Sequence, residues 1–146
     1  MFQKFEVHNW VIEVDVDETK KQYSNNWGLC HCLDCLNFYE FMKSFSNLES
    51  KFLKRLGINP SKCVHLSKLV LNETGLHIYS GCYHIAGKII EGIPVNSYSW
   101  NDENVAKIGC FTFVFSNDLH FVPGEFTKPT LQIDFEIEIP WVLKES

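Results

Sequence analysis

Residues 131–141 read "LQIDFEIEIPW", and apolar and polar side chains alternate strictly from Leu131 to Ile139. A period of two is typical of a β-strand that buries one face and exposes the other. The stretch therefore predicts a sheet whose apolar face must be covered by a second layer. The side chains expected on that buried face are Leu131, Ile133, Phe135, Ile137 and Ile139.

Residues 5–17 also alternate, but their apolar positions change from odd to even numbers near Asn9. A shift of one residue moves every side chain of a strand to the other face, so we expect a bulge or bend there. The following residues, 18–33, are largely polar and are expected to be irregular.

The second half of the chain also has the character of β-structure. Strands are expected at 67–71 and within 76–90. The segment 107–115, "KIGCFTFVF", is apolar at both odd and even positions, which predicts a central strand buried on both faces. A hairpin is expected where 116–118, "SND", leads into 119–122, "LHFV".

One clear helix is predicted over about residues 35–56, where apolar side chains recur at spacings of three and four. Gly57 can adopt the left-handed conformation, Ile58 can fold back onto the helix, and Pro60 forbids its continuation. We therefore expect the helix to end at Leu56. Its apolar face would consist of Phe38, Phe41, Met42, Phe45, Leu48, Phe52, Leu53 and Leu56.

These patterns together predict an α+β fold. Its antiparallel-rich sheet would have about five or six strands, with one long amphipathic helix packed on a face. The chain has 146 residues, without an internal repeat or a linker of low complexity, which predicts a single domain over residues 1–146.

Charge and hydropathy narrow the class of partner. The net charge is −5 and the sequence pI is about 5.6, whereas a general nucleic-acid binder would carry a basic patch. Docking on an anionic membrane is disfavoured for the same reason. The first ten residues lack the apolar run of a signal peptide, and no apolar stretch is long enough to span a bilayer. We expect a cytoplasmic protein with reduced thiols and a protein partner.

Residues 30–35, "CHCLDC", place three cysteines at the start of the predicted helix, for which Asp34 is a suitable N-cap. A C-x-x-C pair such as Cys32 and Cys35 is typical of zinc knuckles, and Cys30 adds a third thiolate. We therefore predict that these cysteines hold a metal ion, with zinc as the expected cofactor. The fourth ligand would be water or one residue of the β half, namely Cys82, His84, Cys110 or His120.

Other interpretations of the cluster stay open. The three thiols could pack at a helix start and bind nothing. Cys32 and Cys35 could instead form the redox pair of a small enzyme, although no βαβ pattern surrounds them. An iron–sulfur cluster is a further alternative, and the spacing matches none of its standard runs. Cys63 follows the long helix and is expected to be remote from the cluster.

Two groups of carboxylates lie on predicted strands. Like charges placed directly opposite each other destabilise a sheet, so the two strands should not be immediate neighbours. We expect solvated faces balanced by lysines such as Lys68, Lys88 and Lys107, with a cation site or a docking face as the alternative. The carboxylates are Glu13, Asp15 and Asp17 in the first group and Asp134, Glu136 and Glu138 in the second.

Several segments resemble a group of small single-domain proteins of Firmicutes and their mobile elements. They are C-x-C-x-x-C-x-N-F-Y at 30–39, "LGI" at 56–58, "YSGCYHIAGKI" at 79–89 and "LQIDFEIEIPWVL" at 131–143. The resemblance implies an intracellular bacterial protein and supplies no catalytic residue.

Three functions remain as hypotheses. The chain has no nucleophile elbow, P-loop or dinucleotide motif, which favours a non-enzymatic binding or interaction protein, stabilised by zinc. The alternatives are a thiol-redox or other small enzyme and an acidic inhibitor from a mobile element.

Overall fold

The computed structural model describes residues 2–25, 30–43, 48–63, 65–71, 73, 75–96, 99–116, 118–119, 122 and 126–143. Seven strands and three helices lie within these residues. The strands are β1 Phe2–Val7, β2 Trp10–Asp15, β3 His65–Leu71, β4 His77–Glu91, β5 Ala106–Ile108, β6 Phe111–Ser116 and β7 Thr130–Ile139. The helices are α1 Val16–Tyr23, α2 Leu33–Met42 and α3 Leu48–Arg55.

The described strands form one antiparallel sheet in the order β1-β2-β4-β7-β6-β5, with β3 also paired to β4. The α+β class and the antiparallel sheet are therefore confirmed. The sheet has seven strands rather than five or six, because 5–17 and 107–115 each form a hairpin instead of one strand. In the hairpin formed by 107–115, β6 lies inside the sheet and β5 lies at its edge.

The first hairpin explains the change of apolar parity near Asn9. Val7 pairs with Trp10 across a loop of two residues, and His8 in that loop has a positive φ of 52°. The chain reverses here, so the expected bend is present, but as a tight turn rather than a bulge in one strand. A two-residue loop is the shortest connection between antiparallel strands, and it leaves Phe5 and Ile12 on the same face.

β4 is the longest strand, and it changes partners along one edge. Residues 77–82 pair with β3, and 87–91 pair with β2. Its other edge pairs with β7 from His77 to Ala86. Gly87 pairs with Val14 near the C-terminal end of β2. A Cβ there would come within 2.3 Å of the Glu13 carbonyl oxygen, so the close approach of the two backbones requires glycine.

The prediction for β7 is confirmed. The alternating side chains from Leu131 to Ile139 are buried on one face, while Glu136 and Glu138 on the other face are exposed. α2 and α3 cover the apolar face. Phe38 of α2 stacks on Phe135 with ring centroids 5.8 Å apart, and Phe52 of α3 lies 5.0 Å from Phe113.

The single long helix is wrong, because α2 ends at Met42 and α3 begins at Leu48. The Ser50 hydroxyl donates a hydrogen bond to the Met42 carbonyl. In one straight helix these residues would be about 12 Å apart along the axis. α2 and α3 therefore do not share one straight axis, and residues 44–47 between them lie outside the described part.

The helix stop is confirmed. Gly57 has φ +92°, its amide donates to the Lys54 carbonyl, and the Ile58 amide donates to the Leu53 carbonyl. This pair of bonds defines a Schellman motif with Leu56 as the C-cap.

The irregular region expected over 18–33 is wrong in its first part, because α1 runs from Val16 to Tyr23. An Asp15 carboxylate oxygen accepts the Glu18 amide at 3.0 Å and caps this helix. The spacing of Asp15 and Glu18 resembles a capping box and was an available signal. The low apolar content of the helix concealed it.

α1 completes the edge of β4 between β3 and β2. The Tyr23 hydroxyl donates to the His84 carbonyl at 2.8 Å and accepts the His84 amide at 3.0 Å. The Thr19 hydroxyl accepts the Ala86 amide at 3.0 Å. Buried backbone groups need such partners, so the two side chains substitute for a neighbouring strand.

The remaining predictions about segments have mixed outcomes. A strand over 67–71 is confirmed within β3. The hairpin expected at 116–122 includes 117, 120 and 121, which lie outside the described residues. No helix in the described ranges has the length and apolar character needed to cross a membrane.

Candidate metal centre

The three clustered cysteines lie at the N-terminus of α2. Cys32, and not Asp34 as expected, is the N-cap, with extended backbone angles and no side-chain capping bond. Its carbonyl accepts the Leu36 amide at 2.9 Å, which begins the helical ladder. Asp34 lies in the first turn, where its carboxylate is 3.5 Å from Lys68 Nζ.

The structure brings Cys30, Cys32 and Cys35 together. Their Sγ atoms all lie within 4.8 Å of one another. In a tetrahedral site with metal–sulfur bonds of about 2.3 Å, sulfur atoms are about 3.8 Å apart. The cluster therefore needs a contraction of about an ångström or less to surround one ion, and side-chain rotation can supply this.

The three thiols have different environments. Cys30 and Cys32 are exposed, whereas Cys35 is buried against the core. The Cys32 amide donates to Cys30 Sγ at 3.5 Å, and this bond lowers the pKa of the Cys30 thiol. Burial raises the pKa of Cys35 to about 12, and hydrogen bonds with Cys32 and Cys30 add to the effect. The exposed Cys30 thiol therefore loses its proton more readily than the buried Cys35 thiol beside it.

Two buried side chains hold the start of α2 in place. The Tyr79 hydroxyl of β4 donates to the Asp34 carbonyl at 2.7 Å. Asn37 donates to the Pro140 carbonyl at 3.2 Å and accepts the Val142 amide at 2.6 Å. These bonds join the cysteine-bearing turn to the sheet and to the segment after β7.

Sequence analysis did not identify Asn37 and Tyr79 as supports of the site. Asn37 is fully buried, yet it lies beside Phe38 and Tyr39 in a stretch without clear polar periodicity. Three of its hydrogen-bond partners, including the Leu143 amide at 3.3 Å, are more than 100 residues away. No local pattern marks such a contact.

Three of the proposed fourth ligands from the β half, Cys82, His84 and Cys110, lie outside the cluster. Among the described His, Cys, Asp and Glu residues, the group around this point contains the three cysteines alone. A ring nitrogen of His84 lies 3.0 Å from Gln132 Oε1, and the Cys110 thiol donates to Glu49 at 3.1 Å. Cys82 is buried on β4, and His120 is not among the described residues.

Cys63 also lies outside the cluster. It is buried, and its thiol donates to the Cys82 carbonyl at 3.3 Å. The prediction that Cys63 is remote assumed one long helix between it and the cluster. The structure has two shorter helices there, so that estimate of the distance no longer applies.

The carboxylates form no single acidic surface. β4 lies between β2 and β7, as expected from the cost of opposing like charges. Glu13 pairs in register with Lys4 and Lys88, and Asp15 and Asp17 belong to the start of α1. Asp134, Glu136 and Glu138 do lie together on β7, and the Asp134 carboxylate accepts a hydrogen bond from the Gln132 side chain at 2.7 Å.

Comparisons with protein families, curated proteins and solved structures give no match to this chain.

Proposed function

We propose that this chain is an interaction protein whose structure is stabilised by a zinc ion bound to Cys30, Cys32 and Cys35. The observation that carries the proposal is the convergence of three Sγ atoms within 4.8 Å at one helix start. Thiolates are soft ligands that favour Zn²⁺ over hard cations such as Mg²⁺ and Ca²⁺.

The position of the cluster favours a structural role. Cys35 is part of α2, and Tyr79 and Asn37 join that helix to the sheet. Cys30 lies before the helix, at the end of a segment that the metal would attach to this rigid frame. Water or one residue outside the described cluster would complete the tetrahedron.

The test is elemental analysis of untagged protein purified without chelator. We expect close to one equivalent of zinc in the unaltered chain and a loss of most of it in Cys35→Ser. Cys63→Ser is the matched control, because it removes a buried thiol outside the cluster and its hydroxyl can still donate to the Cys82 carbonyl. Zinc-free protein that also fails to bind added zinc would contradict the proposal.

The fourth ligand can be identified in the same experiment. Cys82→Ser, Cys110→Ser, His84→Gln and His120→Gln each remove one candidate from the β half. Unchanged zinc content in all four variants would favour water at the fourth position. A loss of zinc in one of them would identify the residue concerned.

A thiol-redox function is the second candidate, and one observation favours it. The exposed Cys30 has a lowered pKa and lies beside two further thiols. Its thiolate could attack an external disulfide and form a mixed disulfide, releasing one thiolate. A neighbouring cysteine would then attack Cys30 Sγ, form an internal disulfide and release the second thiolate. Formation of an internal disulfide in metal-free protein by oxidised glutathione, with two equivalents of reduced glutathione released for each disulfide formed, would support this function.

A further inference from the structure

The two ends of the strand order, β1 and β5, form opposite walls of a groove with a volume of about 620 Å³. Phe52 and Leu56 from the α3 region and Phe113 of β6 contribute to its lining. Near one end, the Asn9 side chain donates to the Glu103 carbonyl at 3.3 Å and joins the first hairpin to the segment before β5. The sheet therefore curls until its two edges face a common space.

Both walls are edge strands with unused ladder groups. The two-residue loop makes Val7 and Trp10 a hydrogen-bonded pair, so the bonds to β2 recur at Phe5 and Gln3. The amides of Lys4 and Glu6 then point away from β2. Within the described residues, neither amide has a backbone partner, and β5 pairs only with β6.

The side chains along the groove combine apolar surface with positive charge. Phe5, Val7 and Ile108 are half-buried and face inward with the core. The lining contains three positively charged residues, Lys4, Arg55 and Lys107, and one negatively charged residue, Glu6. The lining therefore has an excess of two positive charges. This excess is local, because the whole chain has a net charge of −5.

We propose that this groove binds an extended acidic segment of a partner protein, which adds a strand between β1 and β5. Strand addition would satisfy the outward amides and carbonyls of an exposed edge, which a docked helix would leave unpaired. Alternating side chains of the bound strand would place apolar groups against Phe5 and Ile108 and carboxylates toward Lys4 and Lys107. A second copy of this chain would instead bring its own Lys4 and Arg55 against the same cations.

This inference rests on the interaction part of the proposed function and does not require the metal. The two are separable, because zinc content is measured by elemental analysis and peptide binding by fluorescence. Peptide binding in zinc-free protein would leave the groove proposal intact, and zinc binding without peptide binding would overturn the groove proposal alone.

The probe is a fluorescein-labelled peptide of six alternating valine and glutamate residues, which matches the length of β1. We expect saturable binding in fluorescence anisotropy that weakens with added salt. The matched peptide with lysine in place of glutamate should bind at least about tenfold more weakly, because it repels the groove's cations. A peptide with N-methylated glutamates keeps its charge but loses the backbone N–H donors of those residues. It should also bind about tenfold or more weakly.

Two variants at Glu6 distinguish the contribution of its backbone amide to peptide binding from the contribution of its charge. Glu6→Ala and Glu6→Pro both remove the carboxylate, but only proline removes the outward amide. We expect Glu6→Ala to bind the acidic peptide at least as tightly as the unaltered chain and Glu6→Pro to bind it about tenfold less tightly. Lys107→Glu, on the opposite wall, should weaken binding while leaving the circular dichroism spectrum unchanged.

Three results would overturn the proposal. The first is absence of saturable binding to the acidic peptide, and the second is equal binding of the acidic and basic peptides. The third is a homodimer in sedimentation analysis that Glu6→Pro dissociates, which would assign the groove to a second copy. If Glu6→Pro does not fold, the N-methylated peptide still decides between strand addition and attraction by charge alone.

Discussion

Single hydroxyl and amide groups replace missing backbone partners in this protein. Tyr23 satisfies both the amide and the carbonyl of His84, and Thr19 satisfies the amide of Ala86. These residues lie where neither β3 nor β2 reaches β4. A sheet whose central strand changes partners therefore depends on a few side chains from α1.

We expect Tyr23→Phe to lower the free energy of unfolding by about 2–4 kcal/mol, because it leaves a buried donor and a buried acceptor without partners. Urea denaturation measures the change. Tyr83→Phe is the matched control, since the Tyr83 hydroxyl serves only the Pro60 carbonyl in the described structure. Tyr83→Phe should lower the free energy of unfolding by less than Tyr23→Phe does. Equal decreases in the two variants would mean that the edge of β4 does not depend on Tyr23.

The buried thiol of Cys82 predicts a loss of stability in alkali. Burial raises its pKa from 9.0 to about 12, with the Asp134 carboxylate adding to the effect. Above pH 9 the unfolded chain releases this proton while the folded chain retains it, so the free energy of unfolding falls as the pH rises toward 12.

Cys82→Ala should make that fall less steep between about pH 8.5 and 9.5, where most tyrosines of the unfolded chain are still protonated. Denaturation of metal-free protein at several pH values measures the slope. Cys30→Ala is the control, because the pKa of Cys30 is lowered rather than raised. An unchanged slope in Cys82→Ala would show that this thiol does not contribute.

At the scale of secondary-structure elements, α2 is anchored near its N-terminus. Tyr79 of β4 donates a hydrogen bond to the Asp34 carbonyl, and the Asn37 side chain bonds to the chain after β7. Anchoring of this kind fixes the turn that carries the cysteines.

Asn37→Ala is expected to lower the free energy of unfolding by about 2–4 kcal/mol, since it leaves a buried carbonyl and two amides without their partner. It should also weaken zinc binding, because the helix start becomes less ordered. Glu40→Ala, on the exposed side of α2, is the control, with an expected change within about 0.5 kcal/mol. Urea denaturation measures the change in the free energy of unfolding. A competition assay with a chromogenic chelator measures the change in zinc affinity.

At the scale of the whole molecule, a structural metal would couple the cluster to global stability. Binding requires thiolates, so zinc affinity should fall as pH decreases and the ligands are protonated. Cys35→Ser should lower the melting temperature of zinc-loaded protein well beyond a surface substitution, and a chelator should lower that of the unaltered chain. If the thiols only pack at the helix start, Cys35→Ser costs about 1 kcal/mol and the chelator has no effect.

Local patterns in the sequence determined the parts of this protein that neighbouring residues control. The period of two specified β7 and its buried face, and Gly57 with Pro60 specified the helix stop. The spacing of Cys30, Cys32 and Cys35 was enough to bring three thiols together at the start of a helix. In each case the physical cause acts within a few residues along the chain.

Only the tertiary structure decided the rest. The break at Met42, the exchange of partners along β4 and the groove between β1 and β5 depend on contacts such as Tyr23 with His84 and Ser50 with Met42. Intrinsic helix and strand preferences are worth less than burial, so packing overrides periodicity when the two compete. The curl of the sheet sets which edges remain open, and no residue on either edge encodes that by itself.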